Sequence, residues 1–152
     1  MNIYIRKARQ EDAAEISSVI ISAIKETNAK DYPKSVIEKL PESFSPDRIK
    51  DRMSTREMYV SIKDGRVVGT ASLDANTIRS VFVMPELQGI GIGLAIMEQL
   101  EALASEKTIT TLTVPSSITA EGFYKKLGYN KVREEYEGAE KIIIMSKIIR
   151  PL

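Results

Sequence analysis

The sequence predicts an α/β (α+β) fold, a mixed and mostly antiparallel sheet carrying helices and one parallel crossover. Three observations predict it. Short alternating or β-branched segments, punctuated by turn residues, recur along the chain. Asp64-Gly65 separates 57-EMYVSIK-63 from 66-RVVGTASL-73, a strong signal for a tight antiparallel hairpin. The run 77-TIRSVFV-83, a helical stripe behind it and 109-ITTLTV-114 form a strand-helix-strand unit whose two strands run parallel.

Each element follows from its local pattern. Alternating Ile3 and Ile5 make 2-NIYIRKA-8 a strand, and Asp12 is placed to cap a helix over 12–27, whose core face carries Ala13, Ile16, Ile20 and Ile24. Pro33, Pro41 and Pro46 then punctuate two short helical pieces, 34-KSVIEKL-40 and 46-PDRIKDRM-53, the second capped by Ser45 with Pro46 at its first position. After the hairpin and the 77–83 strand, Ile92, Ile96, Leu100 and Leu103 define a helix ending near Ser105. Pro115, Ser116 and Ser117 break the chain after the next strand, and 118-ITAEGFYKKLG-128 reads as a short helix closed by Gly128. Two strands, 129-YNKVREEY-136 and 140-EKIIIMSKII-149, complete the sheet; the apolar second one suits a central strand or a subunit contact, so a homodimer is among the expectations.

The 152 residues match the common size of one compact domain, and no linker or repeat divides them, so residues 1–152 read as a single domain. With 22 Lys and Arg against 21 Asp and Glu, no overall field favours nucleic acid or an anionic membrane. The absence of Cys and His rules out a disulfide framework, thiolate or imidazole metal sites, a cysteine nucleophile and a Ser-His-Asp arrangement. No metal is expected. Charges throughout the first twelve residues leave no apolar core for a secretory signal, and no run approaches the roughly 20 apolar residues of a membrane span, which makes a cytoplasmic location the expectation.

The most informative stretch is 88-QGIGIG-93, three glycines at a strand-to-helix junction. A helix N-terminus presents unpaired N–H groups and the positive end of the macrodipole, and glycines let an anion approach them closely. The spacing fits neither usual nucleotide motif. Counting from Gly89 or Gly91, the sixth position is Leu94 or Ile96 rather than glycine, and Gly93 is followed by Leu94 rather than Lys-Ser/Thr.

The segment 81-VFVMPELQGIGIG-93 resembles the signature of the GCN5-related N-acetyltransferases (GNAT), with Val83, Pro85, Gln88, Gly91 and Gly93 in its specified places. A second stretch, 117-SITAEGFYKKLGY-129, is similar to the family's downstream landmark through Ala120, Phe123, Tyr124, Lys126, Gly128 and Tyr129. The resemblance implies a sheet of about seven strands with about four helices, in which 80-SVFV-83 splays from 111-TLTV-114 to form an acetyl-CoA cleft. Backbone groups of Val81, Phe82 and Val83 would then meet pantetheine, the amides of Gln88, Gly89, Ile90, Gly91, Ile92 and Gly93 would hold the pyrophosphate, and Ser117 and Tyr124 would also contact the cofactor.

The implied reaction moves an acetyl group directly from acetyl-CoA to an amine, without metal or covalent enzyme intermediate. Tyr124 is the expected proton donor, because a phenol of pKa about 10 can protonate a departing thiolate whose conjugate acid lies near about 8.5. Ser117 stands where the family often has Asn, and Thr77 stands where some members carry a Glu base. Asp74, just upstream, is the nearest acid and the second catalytic candidate; its alternative is a turn residue. Arg79, Lys125 and Lys126 are phosphate-contact candidates or solvated surface charges. The segment from Asn28 to Met53 would line the acceptor site, where Asp31, Glu38, Glu42 and Asp47 could attract a cationic amine. The acceptor is expected to be a small-molecule or peptidic amine, and the competing reading is a non-catalytic acyl-CoA sensor of the same fold.

Overall fold

Strict alternation of side chains sorts this chain into two apolar layers. Along Glu57–Lys63 (β2), Met58, Val60 and Ile62 face one side of the sheet, while Tyr59 packs into the layer on the other side. The structure is a computed structural model that describes residues 2–27 and 29–150. Its strands are Ile3–Lys7 (β1), β2, Arg66–Asp74 (β3), Thr77–Val83 (β4), Thr111–Ser116 (β5), Asn130–Glu137 (β6) and Glu140–Ile148 (β7). They form one seven-stranded sheet of order β1-β2-β3-β4-β5-β7-β6, antiparallel throughout except for β4 beside β5.

Helices cover both faces. On one, Ala13–Glu26 (α1) buries Ile16, Ile20 and Ile24 against Met58, Val60 and Ile62, and Pro46–Met53 (α4) adds Ile49. On the other, Ile92–Glu106 (α5) sets Ile96, Met97 and Leu100 on Ala71, Leu73 and Ile78, with Glu121–Lys126 (α6) contributing Tyr124. Burying each such side chain is worth about 1.5–3 kcal/mol, so these layers dominate the stabilisation. The apolar strand β7 lies between β5 and β6, with Ile143 and Met145 buried, the central position its composition suits.

Three details depart from the sequence-based expectation. Helix 34–40 is two pieces, Lys34–Glu38 (α2) and Leu40–Ser43 (α3); Pro41 sits in the first turn of α3, where its missing N–H breaks no bond, so it starts a turn of helix instead of ending one. The described residues thus contain six α-helical segments rather than about four. Pro115 and Ser116 continue β5 because β7 pairs past them, at Ile144 and Ile143. Asp12 occupies the position before α1 but does not cap it with its side chain. Its carboxylate instead accepts from Arg6 Nη1 and Nη2 (2.7 and 3.0 Å) and from the Arg9 amide (2.7 Å), tying β1 to α1.

The Arg6 hydrogen bonds hold the Asp12 carboxyl below the ordinary carboxylate range. A depressed folded-state pKa contributes stability above the unfolded value, and that contribution disappears as pH falls through the folded one. Asp12→Ala is therefore expected to cost about 2 kcal/mol at neutral pH. The difference from wild type should shrink in denaturant titrations carried down through pH 4 toward pH 2; a pH-independent difference would contradict the ion pair.

Candidate functional site

The sheet is split where its two parallel strands meet. β4 pairs with β5 only at Thr77↔Thr113, so Ile78–Val83 has no ladder partner on that side among the described residues. A bulge explains the divergence. Between the pairs Ser72↔Arg79 and Thr70↔Phe82, Ala71 alone faces both Ser80 and Val81, and Ser80 adopts φ 56°. An extra residue bends a strand and strengthens its twist, and a non-glycine in the left-handed region costs about 1–3 kcal/mol, which the paired β3 edge sustains. β5 carries Pro115 on its own side of the split and so has one donor fewer to offer.

Directly after β4, the glycine loop leaves a row of backbone amides unpaired at the start of α5. Among the described residues, no acceptor meets the amides of Gly89 through Leu94, and α5 begins with Gly91 at φ 94° as its N-cap. The side chains fasten the loop without filling it. Gln88 Nε2 donates to the Val83 carbonyl (3.2 Å) and to Thr27 Oγ1 (3.4 Å), while Ile92 buries its side chain over Gly69, where a Cβ would lie 3.2 Å from Ile92 Cγ2. A Cβ on Gly93 would come within 3.1 Å of the Phe123 ring, so glycine there lets α5 and α6 close on one another.

The loop, β4 and α6 enclose a cavity of ≈ 400 Å³ lined by Val81, Phe82, Val83, Gln88, Phe123 and Tyr124, among others. A second cavity, of ≈ 470 Å³, lies against it and shares Val81, Phe82, Ala120 and Tyr124. Tyr124 therefore stands in the common wall. It is 5% exposed and is held by edge-on contacts with Phe123 (5.1 Å) and Tyr129 (5.9 Å). Burial, and secondarily the nearby Tyr32, push its phenol well above the ordinary value, which keeps it protonated.

The second cavity has charged walls. Tyr32, Glu137 and Glu140 line it; burial and then Glu137 raise the Glu140 carboxyl, and burial with Glu140 and Asp31 pushes the Tyr32 phenol up to about 12. Arg52, Arg56 and Arg79 line the same cavity. Asp31, itself buried, accepts from the Thr119 amide (2.9 Å) and so fastens the segment before α2 to the loop before α6.

These placements sort the residues singled out in the sequence. Val81, Phe82, Val83, Gln88, Gly89, Gly91, Ile92, Gly93 and Tyr124 line the first cavity, whereas the Ile90 side chain points outward at 44% exposure. Ser117 lines the second cavity instead, its Oγ accepting from the Ala120 amide (3.3 Å). Asp74 is not brought to either cavity. Arg79 Nε holds it at 3.1 Å and Arg56 Nε at 4.0 Å, which leaves it a counterion. Lys125 pairs with Glu121 at 3.6 Å, and neither Lys125 nor Lys126 lines either of these two cavities. Of the acids expected around the acceptor, Asp31 is committed to Thr119, and Glu38, Glu42 and Asp47 lie off the cavity wall. Asn28 lies outside the described residues. Sequence reading missed Tyr32, Arg52, Arg56, Glu137 and Glu140, because only the tertiary fold brings α4 and the β6–β7 turn to one cavity.

Comparison with known proteins gives this architecture its class. Residues 28–146 match the family model described as "Acetyltransferase (GNAT) domain". The chain belongs to the GNAT family of N-acetyltransferases. An N-acetyltransferase of Escherichia coli, YafP, is 28% identical over 134 residues, covering 88% of this chain and 85% of its own. The peptidyl-lysine N-acetyltransferase YjaB of Escherichia coli is 26% identical over 133 residues, covering 85% and 83%. Among solved structures, a GCN5-related N-acetyltransferase from Rhodopseudomonas palustris superposes with TM-score 0.89 at 25% identity over 98% of this chain and 97% of that one. The PaiA N-acetyltransferase of Thermoplasma acidophilum, solved with coenzyme A, has the same fold, with TM-score 0.80 at 23% identity over 97% and 99%. No helix among the described residues is long and apolar enough to cross a membrane.

The Asp31–Thr119 bond ties the segment before α2 to a residue that lines the first cavity. Asp31→Ala should lower stability by about 1–3 kcal/mol and speed hydrogen exchange of the Thr119 amide. Unchanged Thr119 protection would show that the bond does not fasten the two segments.

Proposed function

We propose that this chain binds acetyl-CoA in the first cavity and transfers its acetyl group directly to an amine held in the second. The observation that carries the reading is the alignment of three features: unpaired amides at Gly89–Leu94, the unpaired edge of β4, and Tyr124 in the wall between the cavities. Each fits a part of the donor. The amides and the α5 dipole suit a pyrophosphate, which carries negative charge and takes N–H donors. The open β4 edge offers backbone groups to the amides of pantetheine, as an edge strand does to an added strand. The thioester then reaches the shared wall.

The chemistry follows from what stands at that wall. The amine nitrogen attacks the acetyl carbonyl carbon, the C–S bond breaks, and the sulfur leaves with the bonding electrons. Tyr124, kept protonated by burial, donates its hydroxyl proton to that sulfur. The proton lost from the attacking nitrogen passes in the second cavity to Glu140, whose raised pKa suits it to accept, and that proton, returned through Tyr32 or water, restores the Tyr124 hydroxyl before the next turnover. This gives Glu140 the role that the sequence alone suggested for Asp74, whose carboxylate is taken by Arg79 and Arg56. The remaining acceleration comes from holding both reactants in contact.

Calorimetric titration of acetyl-CoA, with adenosine and inorganic phosphate as controls, tests the binding step. Selective binding in the micromolar range is expected, and no heat with no thermal stabilisation would overturn the reading. Tyr124→Phe is expected to lower kcat by about 100-fold while leaving acetyl-CoA affinity nearly intact. Since its pKa is raised, wild-type activity should show no loss from phenol ionisation up to pH 10. Activity should fall as pH drops through the raised Glu140 pKa, and Glu140→Gln should remove that acid limb along with most turnover; a limb retained in Glu140→Gln would exclude it as the base.

A further inference from the structure

The second cavity is lined by charges of both signs, and its arginines have no part in the transfer step. Arg52 occupies an unusual position there. Its Nη2 donates to the Ser43 carbonyl (2.9 Å) and its Cζ lies 4.8 Å over the Phe44 ring, so the guanidinium plane is fixed by α3 and the residue that follows it. Its Nη1, enclosed at the cavity wall, meets no acceptor. Among the described residues Arg52 has no salt-bridge partner, and Arg56 beside it has only Asp74, 4.0 Å away and shared with Arg79.

Leaving a charged donor enclosed without a partner is unfavourable. Setting two guanidinium groups side by side adds repulsion: burial lowers the pKa of both, and Arg48 adds to this for Arg52, as Arg52 and Arg79 do for Arg56. Nη1 is closed to solvent, so an anion entering the cavity chiefly offsets the repulsion between the two guanidinium groups. The planar fork of arginine suits a carboxylate, which accepts two parallel N–H bonds. Glu137 and Glu140 line the same cavity, and Glu140, perturbed by burial and then by Glu137, in turn acts on Tyr32.

We propose that the acceptor is a small amino-carboxylate, with its amine beside Tyr124 and Glu140 in the second cavity and its carboxylate held by Arg52 and Arg56. This rests on the acetyl-transfer reading above and names the substrate class for the same site. The cavity of ≈ 470 Å³ accommodates such a molecule, and the opposed charges orient it so that the amine, not the carboxylate, meets the thioester.

The full chain is assayed with acetyl-CoA for thiol release against glycine, 3-aminopropionate, 4-aminobutyrate and the common α-amino acids, each paired with its carboxamide, and against 2-aminoethylphosphonate and a lysine peptide with blocked carboxylates. The best carboxylate is expected to exceed its carboxamide in kcat/KM by about 10–100-fold. Arg56→Gln and Arg52→Gln should each collapse that preference about tenfold, mainly through KM, with acetyl-CoA affinity unchanged; Arg52→Lys should restore part of it. Arg56→Gln keeps the test open if loss of the Ser43 contact unfolds the Arg52 variants. Equal use of carboxamides, a better phosphonate or blocked peptide, or a preference surviving in Arg56→Gln would overturn the proposal. Calorimetry with the N-acetylated amino-carboxylates separates the two readings. If acetyl-CoA gives no heat, the transfer reading fails, while carboxylate binding that is lost in Arg56→Gln still supports the anion site and its absence overturns it.

Discussion

Everything at this site depends on one constraint, the divergence of β4 from β5 after a single paired position. A continuous sheet would have consumed the backbone groups of Ile78–Val83 and placed Tyr124 over a closed surface. The bulge at Ser80–Val81 prevents this, and it is held open from the other side, because β3 keeps its ladder with β4 at Arg79 and again at Phe82. The strain at Ser80 is local and modest, about 1–3 kcal/mol, against the burial of two apolar layers that anchor both strands. The gap is thus a property of the whole sheet, rigid enough to orient what enters it.

Two cavities meeting at the gap give the chain a division of labour by charge. The first is bounded by amides and apolar side chains, and the second by both arginines and glutamates. A chain without histidine or cysteine has few groups to offer as nucleophile or base. Direct transfer between two bound molecules asks least of such an inventory, since position and electrostatics do the work that a covalent intermediate would otherwise do.

Much of this was legible in the sequence, and the boundary is instructive. The Asp64-Gly65 hairpin, the strand at 77–83 and the glycine turn at 88–93 that starts α5 are local, each written in a few consecutive residues whose conformational needs are specific. Pro41 and Pro115 misled because proline limits one hydrogen bond rather than a whole element; a first helical turn and a strand with a free side both absorb it. Asp12 and Asp74 misled for another reason. Both sit where a short acid commonly caps or turns, and in both cases an arginine distant enough to escape a local pattern takes the carboxylate. Arg52 and Glu140, 88 positions apart in sequence, share a cavity that no spacing rule connects.

The glycines of the 88–93 loop also link the unpaired amides to the position of Tyr124. Gly93 lets the Phe123 ring approach α5 so closely that any Cβ would stand 3.1 Å from it, and Phe123 in turn packs edge-on against Tyr124 at 5.1 Å. On the far side, Tyr129 packs against Tyr124 and is itself fixed, its hydroxyl donating to Glu101 Oε2 (2.9 Å) while Lys147 holds Glu101 Oε1 (2.9 Å). The phenol is therefore clamped between a ring set by the glycine loop and a ring set by α5 and β7. Widening the loop at Gly93 would move Phe123 and, through it, the Tyr124 hydroxyl. The bare backbone at 88–93 thus serves geometry twice, once by exposing amides and once by fixing how far from them the shared wall stands.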